Sequence, residues 1–153
     1  MIFYPVYKAI KQRLTAQAVP VYFYIGQYLP GKDNTSYVVP AIYIEFPKEN
    51  EIDFFPTKRV VAKDVNIKIH YISYAPFKNH DNATQEAALS QHNAHLVIID
   101  KLLTGWNAVE PGGLKIITQQ LIPTGSSLLN FMDKAVVSVI TYKTEVCSSH
   151  LQV

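Results

Sequence analysis

The residues that could do metal or acid–base chemistry begin with the histidines near the middle of the chain. His92 and His95 lie three residues apart, and His80 precedes them. Two histidines on one helix can hold zinc only if a third ligand arrives from elsewhere, and no HExxH spacing supplies one. We therefore interpret the pair as polar residues on the solvent side of a helix, and we predict no metal site.

The other candidate chemistry is equally weak. Glu49, Glu51 and Asp53 lie close together in PKENEIDFFPTK, but no apolar pattern around them predicts a pocket for acid–base work. The glycines at residues 112–113 precede a strand pattern, whereas a phosphate-binding loop needs a following helix. The hydroxyls of residues 123–127 (PTGSS) have no histidine at the spacing of a known nucleophile motif. We predict no catalytic residue, no cofactor and no enzyme activity.

Composition narrows the class of protein. The 153 residues fit a single domain, residues 1–153, with residues 147–153 expected to fray. Charged residues make up 17%, below the globular average of about 25%, while 12% are aromatic, including 10 tyrosines. Tyrosine is enriched at protein interfaces, so this composition is consistent either with a contact surface or with a filled β-core.

Charge and cysteine content exclude further classes. The net charge is +2 and the basic residues are scattered, whereas binding to nucleic-acid phosphates needs a basic stripe. The single cysteine, Cys147, allows neither an intrachain disulfide nor a multi-cysteine zinc site. The start MIFYPVYKAIKQRL carries charge by its eighth residue, so we expect neither a signal peptide nor a membrane span there.

The clearest structural pattern is an alternation of apolar and polar residues through residues 59–73, RVVAKDVNIKIHYIS. Side chains on a strand alternate between faces, so this run predicts a long strand with one buried and one wetter face. The two faces hold Val61, Val65, Ile67, Ile69 and Tyr71 against Asp64, Asn66, Lys68 and His70. A strand of this kind is typical of an antiparallel sheet covered on one side.

Two helices are expected, both packed on one face of the predicted sheet. The first covers residues 5–17 with an apolar stripe of Val6, Ile10 and Leu14. The second covers residues 82–103, begins after Asp81 and is ended by Gly105. Its buried stripe is predicted to comprise Leu89, Leu96, Ile99 and Leu103, broadened by Ala88, Val97, Ile98 and Leu102.

Further strands are predicted at residues 21–28, 38–46, 114–122 and 134–146. The first two should form an antiparallel pair across the turn residues PGKDN, and residues 123–133 should be a linker. Both faces of the last strand are partly apolar, which indicates a central strand or one covered by a neighbouring subunit. The fold class is therefore α+β: an antiparallel (mixed) sheet of four to five strands, two helices on one face, and the order α-β-β-β-α-β-β.

This layout resembles the tail terminator (tail-completion, or head–tail joining) proteins of long-tailed bacteriophages and prophages. The resemblance lies in the helix FYPVYKAIKQRLTA, the strands VYFYIG, VPAIYIEF and VNIKIHYIS, the helix HNAHLVIIDKLLTGW and the last strand AVVSVITYKTEV. It covers about residues 3–146. The hairpin tip GQYLPGKDNTSY has no counterpart in it.

The resemblance implies a structural protein that works without catalysis. Such a protein caps the tail tube as a ring, usually a hexamer, and offers a face to the head connector. Its partners would be copies of itself, the tail-tube protein and the head-connector protein, with no sequence-specific nucleic-acid binding and no membrane contact. It would be located in the virion, and in the host cytoplasm during assembly.

A closed ring of identical subunits needs two different contact surfaces on each subunit. The candidates for these surfaces are Phe54, Phe55, Leu128, Leu129, Phe131 and Met132. If DNA passes through the ring, an acidic loop formed by Glu49, Glu51 and Asp53 would face the lumen and repel phosphates. The alternatives are another minor tail or neck component of similar fold, or a cellular α+β adaptor or ligand-binding domain.

Overall fold

The computed structural model describes residues 3–17, 19–26, 38–47, 53–55, 59–74, 82–107, 120–131 and 135–149. Within them the chain forms two α-helices and six strands of one mixed sheet. In chain order the elements are α1 (Phe3–Leu14), β1 (Val21–Phe23), β2 (Ala41–Glu45), β3 (Asp53–Phe55), β4 (Arg59–Tyr74), α2 (Asn82–Leu103), β5 (Ile122–Phe131) and β6 (Ala135–Ser149). The predicted α+β class and element order are confirmed, with the short β3 as an addition.

The centre of the sheet is the long antiparallel pair β4–β6. The strands run in the order β1-β2-β4-β6-β5, and β3 pairs with β4 beside this path. Because β6 accompanies β4 from Arg59 to Tyr74, β3 must occupy the edge of β4 that β2 occupies further along. β6 is thus a central strand, as its two apolar faces predicted, and it includes the segment Cys147–Ser149 that was expected to fray.

The predicted antiparallel pairing of the first two strands is wrong. β1 and β2 run parallel, with Val21 opposite Ile42 and Phe23 opposite Ile44. Parallel neighbours require a crossover connection of about a dozen residues or more. Residues 24–40 separate the two strands and provide that length. The turn chemistry that suggested a hairpin belongs to residues 30–34, which lie outside the described residues.

β5 lies almost wholly in the segment predicted as a linker, residues 123–133. Residues 114–119 of the strand predicted at residues 114–122 lie outside the described residues. Instead of a linker, β5 is an edge strand of the described sheet, with a register shift between Pro123 and Gly125. An edge strand tolerates a proline, and a bulge absorbs the irregularity.

The main core lies between the helices and one face of the sheet. The α1 stripe of Val6, Ile10 and Leu14 is fully buried, as predicted. It meets the alternating apolar residues of β4, namely Val65, Ile67, Ile69 and Tyr71. The α2 stripe is narrower than predicted: Ile99 and Leu103 are buried, but Leu89, Val97 and Ile98 are each at least 40% exposed.

The opposite face of the sheet carries a second, smaller apolar cluster at one end. Its members are Ala41, Tyr43, Ile72, Ala135, Val137 and Val139. His70 and Ile72 of β4 are buried there, so the face predicted to be wetter is wet only towards Asp64 and Lys68. Asp64 has a left-handed backbone (φ 53°) where β4 shifts register against β6, which is typical of a bulge.

The C-terminal end of α2 closes as predicted at Gly105, whose φ of 76° suits glycine. The N–H of Gly105 donates to the carbonyl of Leu121 at 2.9 Å, and the N–H of Leu121 donates to the carbonyl of Trp106 at 3.0 Å. Arg13 of α1 donates to the carbonyl of Leu102 at 2.9 Å. These bonds fix the start of β5 and the end of α1 to the same helix terminus.

Candidate functional site

A buried histidine lies between α2 and the sheet, where the sequence predicted a solvent-facing one. His92 is 2% exposed, so its predicted position on the solvent side is wrong. Its Nδ1 is 2.6 Å from the hydroxyl of Ser73 on β4, and its Nε2 is 2.8 Å from the hydroxyl of Ser138 on β6. Since a neutral imidazole has one donor and one acceptor nitrogen, one serine accepts from the ring and the other donates to it.

The surroundings of His92 keep it neutral. Burial, together with the neighbouring His95, lowers the pKa of His92 to about 4. The Tyr71 ring packs against both imidazoles, with ring centroids 4.8 Å from His92 and 5.6 Å from His95. The Nδ1 of His95 is buried and has no hydrogen-bond partner.

A histidine between two serines could in principle activate one of them as a nucleophile. A general base works best with a pKa near the operating pH, and the pKa of His92 lies well below neutrality. Both candidate nucleophiles also point into the interface of helix and sheet, and Ser138 is only 4% exposed. This arrangement therefore suits a structural polar bridge that aligns α2 on β4 and β6.

A second histidine is held on the other face of the sheet. The Nε2 of His70 donates to the carboxylate of Glu45 on β2 at 2.5 Å, since a carboxylate can only accept. The ring of Tyr24 stacks on His70 with centroids 4.3 Å apart. Burial lowers the pKa of His70, and Glu45 opposes that shift. The pair joins β2 to β4 across the strand register.

The third polar group connects α2 to the central strand β6. The hydroxyl of Tyr142, whose side chain is fully buried, donates to Oδ1 of Asp100 at 2.8 Å. Thr104 donates to the same oxygen at 2.7 Å. Burial, followed by the Asp100 carboxylate, raises the pKa of Tyr142. Asp100 thus accepts two hydrogen bonds from within the molecule. It is half-buried and lies beside an open groove.

That groove lies between α2 and the strands at the β5 end of the sheet. Its volume is about 730 Å³. Its described lining comprises Asn93, Leu96, Val97, Asp100, Pro123, Gly125, Ser126, Ser127, Ser138 and Ile140. The helices leave β5 bare: every described side chain from Ile122 to Ser127 is exposed. Asp100 is the one charged residue of this described lining.

The predicted contact residues are placed at two separate positions. Phe54 and Phe55 belong to β3, on the β2 side of β4. Leu128, Leu129 and Phe131 belong to β5, at the opposite edge. Met132 and the side chains of these five residues lie outside the described part of the structure.

The predicted acidic loop is only partly described. Glu49 and Glu51 lie outside the described residues, whereas Asp53 is in β3 opposite Val61. The loop expected at residues 47–58 therefore contains a short strand. Sequence reasoning missed the His92 bridge altogether, although Ser73 shares strand parity with Tyr71 and Ser138 shares it with Ile140 and Tyr142. Those two serines on the helix-facing parity were the available signal.

Metal and membrane sites receive no support from the described residues. Among them, no three His, Cys, Asp or Glu side chains form a group that could hold a metal ion. In the same part of the chain, neither helix is long and apolar enough to cross a membrane.

Comparison with known proteins gives a likeness that concerns the fold. No protein-family model matches the sequence, and no curated protein matches it either. Among solved structures, the chain is similar to one from the virion of a native gene transfer agent particle, with a TM-score of 0.53 and 16% identity. The likeness covers 93% of this chain and 94% of that chain. The two chains therefore share a fold over almost their whole lengths.

Proposed function

We propose that this chain is a non-enzymatic structural protein of a phage or phage-like particle, which caps the tail tube as a ring and joins it to the head connector. The observation that carries the proposal is the fold shared with a chain of a gene transfer agent virion over 93% of the present chain. The order of helices and strands, on which the resemblance to tail terminators rests, points the same way.

The shape of the sheet is compatible with a ring. A ring closed by rotation needs two different surfaces on each subunit, and the two strands that hold the predicted contact residues lie on opposite sides of the β4–β6 pair. The polar groups beneath α2 hold helix and sheet together, which supports a structural role for them. Self-association, the tail-tube protein and the head-connector protein are the expected partners.

Location in the particle tests this proposal. Deleting the gene from a host that produces such particles should give headless tails of abnormal length, and gold-labelled antibody should mark the chain at the head–tail junction of complete particles. Normal particles after deletion would refute a role in assembly. Label elsewhere on the tail or neck would favour another minor component of similar fold, and no label on any particle would favour a cellular adaptor or ligand-binding domain.

The acidic residues Glu49, Glu51 and Asp53 are proposed to face the lumen of the ring, where their charge would keep passing DNA from adhering. Replacing them with Gln, Gln and Asn should slow DNA ejection while leaving ring formation intact. Unchanged ejection from particles that contain the triple variant would argue against this role.

A further inference from the structure

One edge of the molecule carries a ridge of aromatic and cationic side chains. On α1, Tyr4, Tyr7, Lys8 and Lys11 recur at helical spacing, so they share one side of the helix. The ammonium of Lys8 lies 5.6 Å from the Tyr4 ring centre, and that of Lys11 lies 5.8 Å from the Tyr7 ring centre. Tyr7 in turn meets Phe23 of β1 edge to face at 5.7 Å. We call these five residues the ridge.

The ridge is both exposed and positively charged. Tyr4 is 57% exposed and Phe23 is 42% exposed, although monomeric proteins bury most of their large aromatic side chains. Helix α1 has three basic residues and no acidic one (FYPVYKAIKQRL). The third, Arg13, is directed towards α2 and Trp106, so the two lysines give the ridge its charge.

The opposite edge of the sheet has the complementary character. The groove between α2 and β5 is concave and mainly apolar, and its one charged described lining residue, Asp100, is acidic. Leu89 extends the groove-facing side of α2, since it lies four residues before Asn93 and seven before Leu96. Val97 at the rim is 43% exposed. An apolar groove with a carboxylate fits a partner that offers aromatic rings beside ammonium groups.

Within the described part of the chain, most of the edge strand next to the groove has little of the usual protection against pairing. Natural edge strands are normally blocked by charged side chains, proline, bulges or a covering element. β5 has the sequence IPTGSSLLNF, which contains no charge, and its proline and register shift lie at its first residues only. Among the described residues, no element pairs with the outer edge of the rest of this strand.

We propose that the ridge of one copy of this chain seats in the groove of the next copy, which sets β1 of one sheet beside β5 of its neighbour. The inference deepens the proposed ring and rests on it, because it names two surfaces by which successive subunits join. One is the groove beside β5, and the other is the ridge, which lies on the same side of the β4–β6 pair as Phe54 and Phe55. Ridge and groove lie on elements at opposite ends of the strand order, β1 and β5, so the contact is head to tail. Repetition of such a contact closes into a ring when the rotation between subunits allows it.

The test uses one variant on each surface. Val97→Arg places a cation in the groove, and Tyr4→Glu combined with Lys8→Glu reverses the ridge. All three positions are exposed, so folding should persist. Tyr74→Arg, at a 64% exposed site on the central strand β4, is the matched control. Sedimentation velocity over a wide concentration range should show oligomers for the wild type and the control, and at least about tenfold weaker association for either surface variant.

Mixing the two surface variants distinguishes this contact from a symmetric one. Each variant keeps one intact surface, so an equimolar mixture should recover association that neither variant shows alone, because the intact ridge of one variant meets the intact groove of the other. A symmetric contact would leave the mixture no better associated than its components. Wild type that stays monomeric at the highest concentration, or variants that associate like the wild type, would also overturn the proposal.

Cross-linking gives a second readout that detects weak association. In a Cys147→Ser background, Tyr4→Cys and Val97→Cys should be joined by a short bis-maleimide only when the two variants are mixed. Cross-linking within either variant alone would overturn the head-to-tail contact.

These assays use purified protein, so they are independent of particle assembly. If particles hold a ring of this chain but the variants assemble normally, only this inference fails; if the contact is found but gene deletion leaves particles unchanged, only the proposed function fails.

Discussion

The His92 bridge predicts that replacing His92 lowers stability and that removing its two serine partners restores part of the loss. His92→Leu places an apolar side chain of moderate size under α2 and removes both ring nitrogens that bond the hydroxyls of Ser73 and Ser138. Leaving the buried hydroxyl of Ser138 unsatisfied costs about 1–3 kcal/mol, and the half-buried Ser73 adds about 1 kcal/mol. The expected loss in the free energy of unfolding is therefore about 2–4 kcal/mol.

The rescue by removal of the partners makes this test specific. In the triple variant His92→Leu/Ser73→Ala/Ser138→Ala no polar atom of the bridge remains, and replacement of all partners by apolar groups is often nearly neutral. We expect the triple variant to regain at least half of the lost stability. Comparison of the single and triple variants with the wild type is a mutant cycle, and it measures the coupling free energy between residues of one hydrogen-bond network.

Urea unfolding at neutral pH, followed by circular dichroism, measures the effect through the midpoint at unchanged slope. Gln91→Leu, at an exposed site next to His92 on the same helix, is the control and should change stability by less than about 0.5 kcal/mol. A loss below about 0.5 kcal/mol for His92→Leu, or a triple variant as unstable as the single one, would refute the reasoning. The ring would then be a passive filler of the core.

Three further predictions concern pH, a buried phenol and a helix end. Because the folded-state pKa of His92 is lowered from 6.5 to about 4, the unfolded chain binds a proton first as the pH falls between these values. The free energy of unfolding should therefore decrease over this range by up to about 3 kcal/mol more in the wild type than in His92→Leu, which parallel urea titrations at several pH values would measure. Tyr142→Phe removes the hydroxyl that donates to Asp100 and should cost about 1–2 kcal/mol by urea unfolding, with no change meaning that the bond is not needed. Gly105→Ala should lower the free energy of unfolding by about 1 kcal/mol, because the φ of Gly105 is 76°. Gly125 has equally open space around it but no positive φ, so Gly125→Ala should change the free energy of unfolding by less than about 0.5 kcal/mol. Equal costs for the two substitutions would contradict the conformational explanation.

The helices were predictable from sequence because their signals are local. The spacing of Val6, Ile10 and Leu14 defines a buried stripe whatever the helix packs against, and Gly105 ends α2 through its own backbone preference. The β4 strand was predictable for the same reason, since its alternation extends over many residues. The pairing of neighbouring strands was harder to predict, because it depends on the route that the chain takes from one strand to the next.

Two sheet errors share one cause, which is that turn residues were given too much weight. The PGKDN segment suggested a hairpin, yet the chain crosses to a parallel neighbour. Residues 123–133, which include Pro123 and Gly125, were predicted as a linker, yet Ile122–Phe131 form an edge strand. Proline and glycine report local backbone geometry, and an edge strand with a bulge satisfies that geometry as well as a turn does.

The misplacement of His92 shows why a polar residue on a helix cannot be assigned to solvent by type alone. The direction of burial on α2 is set by Ile99 and Leu103, and His92 lies seven residues before Ile99, on the same side of the helix. A histidine at that position is buried whenever the stripe is buried, and it then needs partners on the facing strands. Ser73 and Ser138 interrupt apolar parities of β4 and β6, and they meet the ring there. A buried polar bridge is therefore indicated when polar residues interrupt the apolar patterns of α2, β4 and β6 at facing positions. None of these three patterns indicates the bridge by itself.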